Sequence, residues 1–522
     1  MPLDLSGIGP EGISRELRTG GIRIVIYGLG LVGSTIAAVW LRFGAHVIGV
    51  DRDPEVVRRA SMGIGPPGEP LVSEAFGAGL SEGRFSAVTD ERQAGAPPGP
   101  KVRFLAVPVT WSSGRVVLDY LEDAMRAAML YASDGDAIVV KSTVPIGTTR
   151  RLASAAAGSV GRRPDVDVLV AYSPERISAG RAVLDIEEHY PAIVSGIGPR
   201  SAKFARDLYS LVAKAGVMAL SSLEAAEAEK IFEGVYRDVN IALANELARV
   251  ADSYGLDFEE IRRAANSQPY SHIHAPGLGV GGACIPIYPW FLYENAVHAG
   301  VVPELTLMAR RINLSMPEFF ASFLERELGG LKDRRVAVLG LAFRGDVADS
   351  RLSPTYDLVL GLLRRGAAPI VHDPLIGRDE TLERLHVRLT NDLKEALSGA
   401  DAVVVATDHS AYRGLTGDEL RAMSGSNPLV LDTRRVLRPE LLGRIRLRQF
   451  AGGRRALTEP RLPRGRANPR PAPAWPAGPG RPWRRQMTLR PRSRPASPAP
   501  TRGNPWPPRG PRAPGPCPRT AR

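Results

Sequence analysis

The sequence is poor in cysteine, with two in 522 residues, and no apolar run approaches the roughly 20 residues needed to cross a membrane. Cys284 and Cys517 stand too far apart to suggest a stapled scaffold, so nothing argues for an oxidising compartment. The N-terminus, MPLDLSGIGPEGISRELRTG, lacks the basic-then-apolar order of a secretory signal. A soluble, cytoplasmic chain without a membrane span is expected. Its 44% hydrophobic content is enough for real cores, and its length suits about three domains of about 150 residues each.

Lysine is missing from the last stretch, and acidic residues nearly so. Residues 451–522 carry 17 Arg, no Lys and one acidic residue, a net +16; subtracting this from the chain's +13 leaves −3 for residues 1–450. The basic balance therefore belongs to the end of the chain, and no nucleic-acid partner is expected of the rest. The same stretch holds 19 of the 45 prolines and almost no aliphatic clusters, so it is expected to be a disordered tail.

What is present is a repeated α/β pattern. IRIVIYGLG, LVGSTIAAVWLRFGA and HVIGVD read as strand, glycine turn, helix and strand, the unit of a parallel sheet. Further apolar strands follow at VRFLAVPV, AIVVKSTV and VDVLVAYSP. From Ser221 a long helical pattern begins, with Ser222 as N-cap, Glu224 in the first turn and Gly255 as its stop. RRVAVLGLAFRG, APIVHDP, ADAVVVATDH and NPLVLDTRRV supply a second set of strands. The expected fold class is α/β, with two Rossmann-like doubly wound domains joined by a long-helix connector. The boundaries are an N-terminal extension at 1–20, a first domain at 21–220, the connector at 221–325, a second domain at 326–450 and the tail at 451–522.

Gly28-Leu29-Gly30-Leu31-Val32-Gly33 follows a strand and opens a helix, and Asp51 ends the next strand. Gly28 makes the turn, Gly30 admits a pyrophosphate to the helix N-terminus, and Gly33 permits close packing. The Asp51 carboxylate suits ribose hydroxyls and would repel a 2′-phosphate, so NAD is preferred to NADP; Arg52 is the counterweight. Leu31, Val32, Arg52, Thr110 and Thr143 complete the expected cofactor contacts. In GLGVGGACIPIYPW, glycines precede Cys284 and prolines follow it, an arrangement that presents a thiol, although a lone cysteine is also a small packed hydrophobe. His272 and His274 lack further ligands at zinc spacing, so no metal is expected.

GLGLVG, GVDRDP, KSTVPIGTTR, YSPERISAG, YRDVNIALANELA, GVGGACIP, GLAFRGDVADSRLSP, ATDHS and DTRRV occur in this order. Together they resemble the nucleotide-sugar 6-dehydrogenase family, the UDP-glucose and UDP-N-acetylhexosamine dehydrogenases, over about residues 22–440. The resemblance implies an NAD-binding domain, a homodimerising long helix and a UDP-sugar domain. It implies that Cys284 is the nucleophile in an oxidation of the sugar C6 through a thiohemiacetal and a thioester to a uronate, with two NAD reduced. Thr143 would position water or the C6 hydroxyl, Glu175 would be the base of hydrolysis, and Lys230 would stabilise the oxyanion. Glu175, Arg176, Lys230, Gly281, Arg344 and Arg351 are the implied substrate contacts; Arg351 matches an arginine that in the family reaches the substrate across the dimer, and Arg344 replaces a lysine that contacts UDP.

Two departures bear on the chemistry. Gly234 stands where the family usually has asparagine, and Tyr288 where it usually has aspartate. A tyrosine hydroxyl entering the space left by Gly234 would be compensation; otherwise the chain is a weakened homologue that binds NAD and a UDP-sugar. YSPERISAG and YRDVNIALANELA are similar to the N-acetylhexosamine branch, which favours UDP-N-acetylmannosamine and a role in polysaccharide synthesis over UDP-glucose. Tyr270 and Ala192 replace arginines common in that branch. A hydroxyacid dehydrogenase of the 3-hydroxyisobutyrate or 6-phosphogluconate type would share the first motif but lack the second domain and the need for Cys284.

Overall fold

The computed structural model describes residues 4–95 and 99–453. Sixteen strands form two large sheets and a hairpin among these residues. The first sheet contains β1 (Arg23–Tyr27), β2 (His46–Val50), β3 (Phe85–Val88) and β4 (Lys101–Leu105). The hairpin is β5 (Thr110–Ser112) and β6 (Arg115–Val117). The first sheet continues with β7 (Ala137–Val140), β8 (Leu169–Tyr172), β9 (Ala192–Gly196) and β10 (Val217–Ala219). Its order is β10-β9-β8-β7-β4-β1-β2-β3, parallel except where β8 meets β9. The second sheet contains β11 (Arg335–Leu339), β12 (Ala368–His372), β13 (Arg388–Thr390), β14 (Ala402–Val405), β15 (Leu429–Asp432) and β16 (Arg446–Gln449), in the order β13-β12-β11-β14-β15-β16 and parallel throughout.

The central strands are apolar throughout because both faces are covered. On one face of the first sheet Ile24, Ile26 and Phe104 pack with Trp40; on the other, Val25, Leu105 and Ile138 pack with Met125. Such two-sided burial is what a parallel sheet requires. The fold is thus α/β with two Rossmann-like sheets, as the alternation of apolar strands and helical stretches implies.

The connector helix runs Leu223–Ser253, and the Ser222 hydroxyl accepts from the Ala225 N–H at 3.1 Å. Its asparagines explain themselves by partners. Asn245 donates to Asn313 Oδ1 at 3.0 Å and accepts from the Gly277 N–H at 2.8 Å, while Asn240 accepts from the His274 N–H at 3.0 Å. Asn313 lies on a second long helix, Glu304–Leu328, and also donates to Asp238. This buried polar network ties the approach to the cysteine loop onto both helices.

The N-terminal residues are not an appendage. A helix spans Gly9–Thr19, and Ile13 and Leu17, one turn apart, are fully buried in the first core. Arg200 and Lys203 fasten Ser6 from the Pro199–Tyr209 helix. At the other end Ala451 is buried and its carbonyl accepts from the Phe258 N–H at 2.9 Å, so packed structure extends past residue 450. The tail expected to be disordered lies outside the described residues from 454 onward. No helix among the described residues is long and apolar enough to cross a membrane.

Candidate active site

β1 ends in a turn with Gly28 at φ +90°, and the helix Leu31–Phe43 begins at once behind Gly30. A side chain on Gly33 would sit 1.8 Å from the Gly28 carbonyl oxygen, whereas one on Gly30 would meet open space. The helix N-terminus, begun by Leu31 and Val32, therefore faces an approachable surface. Asp51 accepts from the Leu29 N–H at 2.7 Å and the Asp53 N–H at 3.0 Å. It lines a cleft of about 730 Å³ with Tyr27, Gly28, Gly30, Arg52 and Pro108, roomy enough for a dinucleotide. Arg52 pairs with Asp123 at 2.9 Å and lies over the Tyr120 ring. Thr110 is apart from this lining. It starts the β5–β6 hairpin, which stacks Trp111 on Trp290 instead.

Cys284 is exposed and free. Its carbonyl accepts from the N–H groups of Ile287 and Tyr288, which starts the helix Tyr288–His298 one turn further on. The glycines before it allow contact with protein: a side chain on Gly281 would lie 2.6 Å from Phe343 Cβ, and the Gly282 N–H donates to the Arg351 carbonyl at 2.8 Å. The loop is thereby docked on the second domain.

Tyr288 fills the place that Gly234 opens. A Cβ on Gly234 would approach the Tyr288 ring to 2.2 Å, so the two departures from the family pattern are one steric unit. The hydroxyl lies 3.2 Å from Thr143 Oγ1 and within hydrogen-bonding reach of the Cys284 thiol. Burial first, then the negative charge a thiolate brings, push the Tyr288 hydroxyl well above the usual phenol range. It is a neutral hydroxyl near pH 7.

The segment carrying Thr143 is clamped twice. Asn295, from the cysteine helix, accepts from the Ile146 N–H at 2.8 Å and donates to its carbonyl at 3.1 Å. Glu227, from the connector helix, accepts from the N–H groups of Gly147 at 2.5 Å and Thr149 at 2.8 Å. Burial raises the Glu227 carboxyl to about 7 against the opposing pull of those bonds.

Lys230 is nearly buried and bonds Glu233 at 3.0 Å rather than standing on a solvated face. Glu233 is pushed up by burial but held below its ordinary value by Lys230, Arg237 and Arg176. Arg176 donates to the Pro191 carbonyl and lies over the Tyr190 ring. Glu175 forms an ion pair with the buried Lys141. From the second domain, Arg344 reaches the Ala179 carbonyl at 3.4 Å, and Arg351 is held bidentate by Asp349, with Cys284 close enough to add to its stabilisation. Cys284, Tyr288, Thr143 and Gly234 thus share one cluster with Arg351 beside it. Sequence reading missed Lys141, Glu227, Glu233 and Asn295. A lysine closing the apolar run AIVV was the one local signal for any of them. Among the described residues no group of three or more His, Cys, Asp or Glu is placed to hold a metal ion.

Comparison with known proteins agrees with this layout. Residues 22–213 match the NAD binding domain of the UDP-glucose/GDP-mannose dehydrogenase family, residues 224–315 its central domain and residues 337–439 its UDP binding domain. The chain is 33% identical over 430 residues to the UDP-N-acetyl-D-mannosamine dehydrogenase of Pyrococcus horikoshii, covering 81% of this chain and 98% of that one. It is 31% identical to the NDP-N-acetyl-D-galactosaminuronic acid dehydrogenase of Ralstonia nicotianae, covering 79% and 95%. The solved UDP-D-ManNAc dehydrogenase of Pyrococcus horikoshii superposes with a TM-score of 0.75 at 30% identity, covering 83% of this chain and 99% of that one. With the glycine turn, Asp51 and their cleft fitting NAD, and all three domains matched, the chain belongs to the UDP-glucose/GDP-mannose dehydrogenase family and is an NAD-dependent nucleotide-sugar dehydrogenase.

Proposed function

We propose that the chain oxidises C6 of a UDP-N-acetylhexosamine, UDP-N-acetylmannosamine before others, to the uronate through Cys284. The observation that carries this is the Tyr288 hydroxyl beside both Thr143 and the Cys284 thiol, where the C6 oxygen needs a hydrogen-bond donor and the C6 carbon a nucleophile. NAD, when bound, accepts the hydride in each of the two oxidations. In the first, the alcohol proton leaves through water held by Thr143 and Tyr288, while the Lys230 ammonium stabilises the developing oxygen anion. The Cys284 sulfur then adds to the aldehyde carbon and its proton moves to the carbonyl oxygen, giving a thiohemiacetal. Loss of the second hydride and the hydroxyl proton leaves a thioester. Glu175 takes a proton from the attacking water, the C–S bond breaks, and the products are a uronate and the regenerated thiol; over the whole reaction one water is consumed and three protons are released.

Arg344 and Arg351 are assigned to the nucleotide and sugar, with Arg176 and Gly281 shaping the pocket. A homodimer is supported by the connector helix, where Phe232, Tyr236, Leu243, Leu247, Val250 and Tyr254 are all exposed and fall on one stripe at helical spacing. The uronate product suits cytoplasmic supply of a surface polysaccharide.

The test is NADH formation on a panel of UDP-sugars, with the protein quenched in turnover and weighed. An adduct of sugar-nucleotide mass on the Cys284 peptide is expected. A higher kcat/KM for UDP-glucose than for every N-acetylated sugar would overturn the substrate branch, and binding of both ligands without NADH would leave only a binding protein.

A further inference from the structure

We propose that Lys141 is a positioning residue that anchors Glu175 at the end of the first sheet, an inference resting on the reading of Glu175 as the hydrolytic base. Lys141 directly follows β7, and its side chain is 0% exposed, against 11% for Glu175. Its ammonium has three donors and three partners: a Glu175 carboxylate oxygen, Ser173 Oγ at 3.0 Å and the Tyr209 hydroxyl at 2.6 Å. With none left over, Lys141 has no donor for substrate, so it acts through Glu175.

A buried ammonium is costly even when paired, and an apolar residue of similar volume is commonly as stable or more so. The strand it extends, Ala137–Val140, is otherwise wholly apolar and buried. Stability alone therefore does not account for the lysine. Position does. Thr143 lies two residues beyond Lys141 after β7, while Ser173 and Glu175 lie just beyond β8, so one ammonium fastens the two strand ends that carry the site. Burial pushes Lys141 down, yet Glu175 and Tyr209 lift it above the ordinary lysine value. A cavity of about 20 Å³, lined by Ser173, Glu175, Arg176, Tyr190, Ala192 and Tyr209, leaves space for one water against the same carboxylate. The charged and titratable groups facing Glu175 are Lys141 below it, Tyr209 from the Pro199–Tyr209 helix, and Arg176, Asp185 and Tyr190 around that cavity.

Without Lys141 the nearly buried carboxylate would lose its countercharge and its fixed position just beyond β8. The experiment uses the full chain with NAD and UDP-N-acetylmannosamine, comparing Lys141→Met, Lys141→Arg, Tyr209→Phe and Glu175→Gln across pH. Lys141→Met is expected to lower kcat by about tenfold or more with KM within about twofold, and to accumulate the Cys284 adduct in quenched samples. Lys141→Arg should restore part of kcat and lower the adduct level, and Tyr209→Phe should lower kcat slightly in the same direction as Lys141→Met. If Glu175→Gln is inactive while the Lys141→Met profile lies on the wild-type one, the anchoring role is wrong and the base stands. If Glu175→Gln keeps wild-type turnover, the reading of the base itself fails. Should Lys141→Met not fold, wild-type kcat and adduct level in Tyr209→Phe overturn the inference.

Discussion

The two Rossmann-like halves begin alike and end differently. In each, a strand runs into a glycine turn, and an acid ends the neighbouring strand: Asp51 in the first half, Asp373 in the second. Asp51 remains on the wall of an open cleft. Asp373 is fully buried, accepting from the N–H groups of Leu341 and Ala342 at 2.8 Å each, and from His409 Nε2 at 3.2 Å. The Asp346 N–H donates to His409 Nδ1, which leaves the ring proton on the nitrogen facing Asp373. Burial pushes Asp373 up, but His409 and the backbone donors hold it below its usual range. The phosphate-approach glycine also differs, since Gly30 faces open space while Ala342 is buried. Behind the second turn the helix starts only at Pro354, and the intervening loop carries Arg344 and Arg351 toward the cysteine loop. One motif thus lines an open cleft in one half and seals itself in the other.

The proposed nucleophile belongs to neither half, and the largest predicted effect tests that assignment. Cys284→Ser should keep both nucleotides bound while uronate formation falls by at least about a thousandfold, because a serine hydroxyl is largely protonated near pH 7. Lys230→Ala should follow with a loss of about 10²–10³-fold. Stopped-flow NADH traces with ligand titrations check both; full turnover by Cys284→Ser would return the cysteine to the packed hydrophobes.

Smaller effects are expected between the halves, at the steric pair. Gly234→Ala would drive a methyl into the Tyr288 ring and should slow turnover by more than Tyr288→Phe, for which about tenfold is expected. Equal, wild-type rates in both would show that the hydroxyl does not replace the family's aspartate.

The sharpest break in the comparison is to change each acid in turn. Asp51→Ser should narrow the preference for NAD over NADP, because Arg52 is already engaged by Asp123 and the carboxylate is the main repulsion, and should cost less stability than a change at Asp373, since Asp51 accepts from only the Leu29 and Asp53 N–H groups. Asp373→Asn should leave cofactor choice alone and cost about 2–4 kcal/mol, since an amide cannot accept from all the donors around it. Melting curves and kcat/KM ratios read the two apart. A cofactor effect from Asp373→Asn would mean the second turn is not sealed.

The local patterns were legible: the strand, turn and helix around Gly28, Asp51 at its strand end, and the cap and length of the connector helix all follow from neighbouring residues. Asn240 and Asn245 signalled contacts by being poor helix formers, without naming them. What stayed hidden depends on distant segments meeting. Lys141 and Glu175 lie on different strand ends, and Asp373 is sealed by a histidine from after β14; Tyr288 and Gly234, on different helices, could be paired beforehand only because both depart from the family pattern. Ile13 and Leu17 carried a helical spacing too short to stand out in an N-terminal stretch read as an extension.

Glu227, on the connector helix, offers a pH test of its clamp on the cofactor half. Its folded value of about 7 lies above that of an ordinary carboxyl, so its contribution is fully present below about pH 4.5 and is lost as pH rises through about 7. The loss is of order 3 kcal/mol. Glu227→Gln should flatten that part of the stability curve, and Asp373→Asn should not. An unchanged slope in Glu227→Gln would place the titration elsewhere.

The smallest effect is expected at the edge of the second half, and it decides where that half ends. The composition of residues 451–522 predicts that cutting after residue 450 is harmless, but Ala451 is buried, its carbonyl accepts from the Phe258 N–H, and Gly452 bridges to Asp257. Phe450, just before the cut, packs on Phe319 and Phe320. Losing residues 451–453 would leave the Phe258 N–H without its acceptor at the start of the helix Phe258–Ala265, a cost of about 1–3 kcal/mol. Truncation after Gly453 should therefore leave melting temperature and turnover unchanged, whereas truncation after Phe450 should lower the melting temperature by a few degrees with kcat nearly intact. Identical melting curves for the two would show that the second half ends at residue 450. A drop of several degrees already on cutting after Gly453 would mean that the arginine-rich stretch docks on the folded chain.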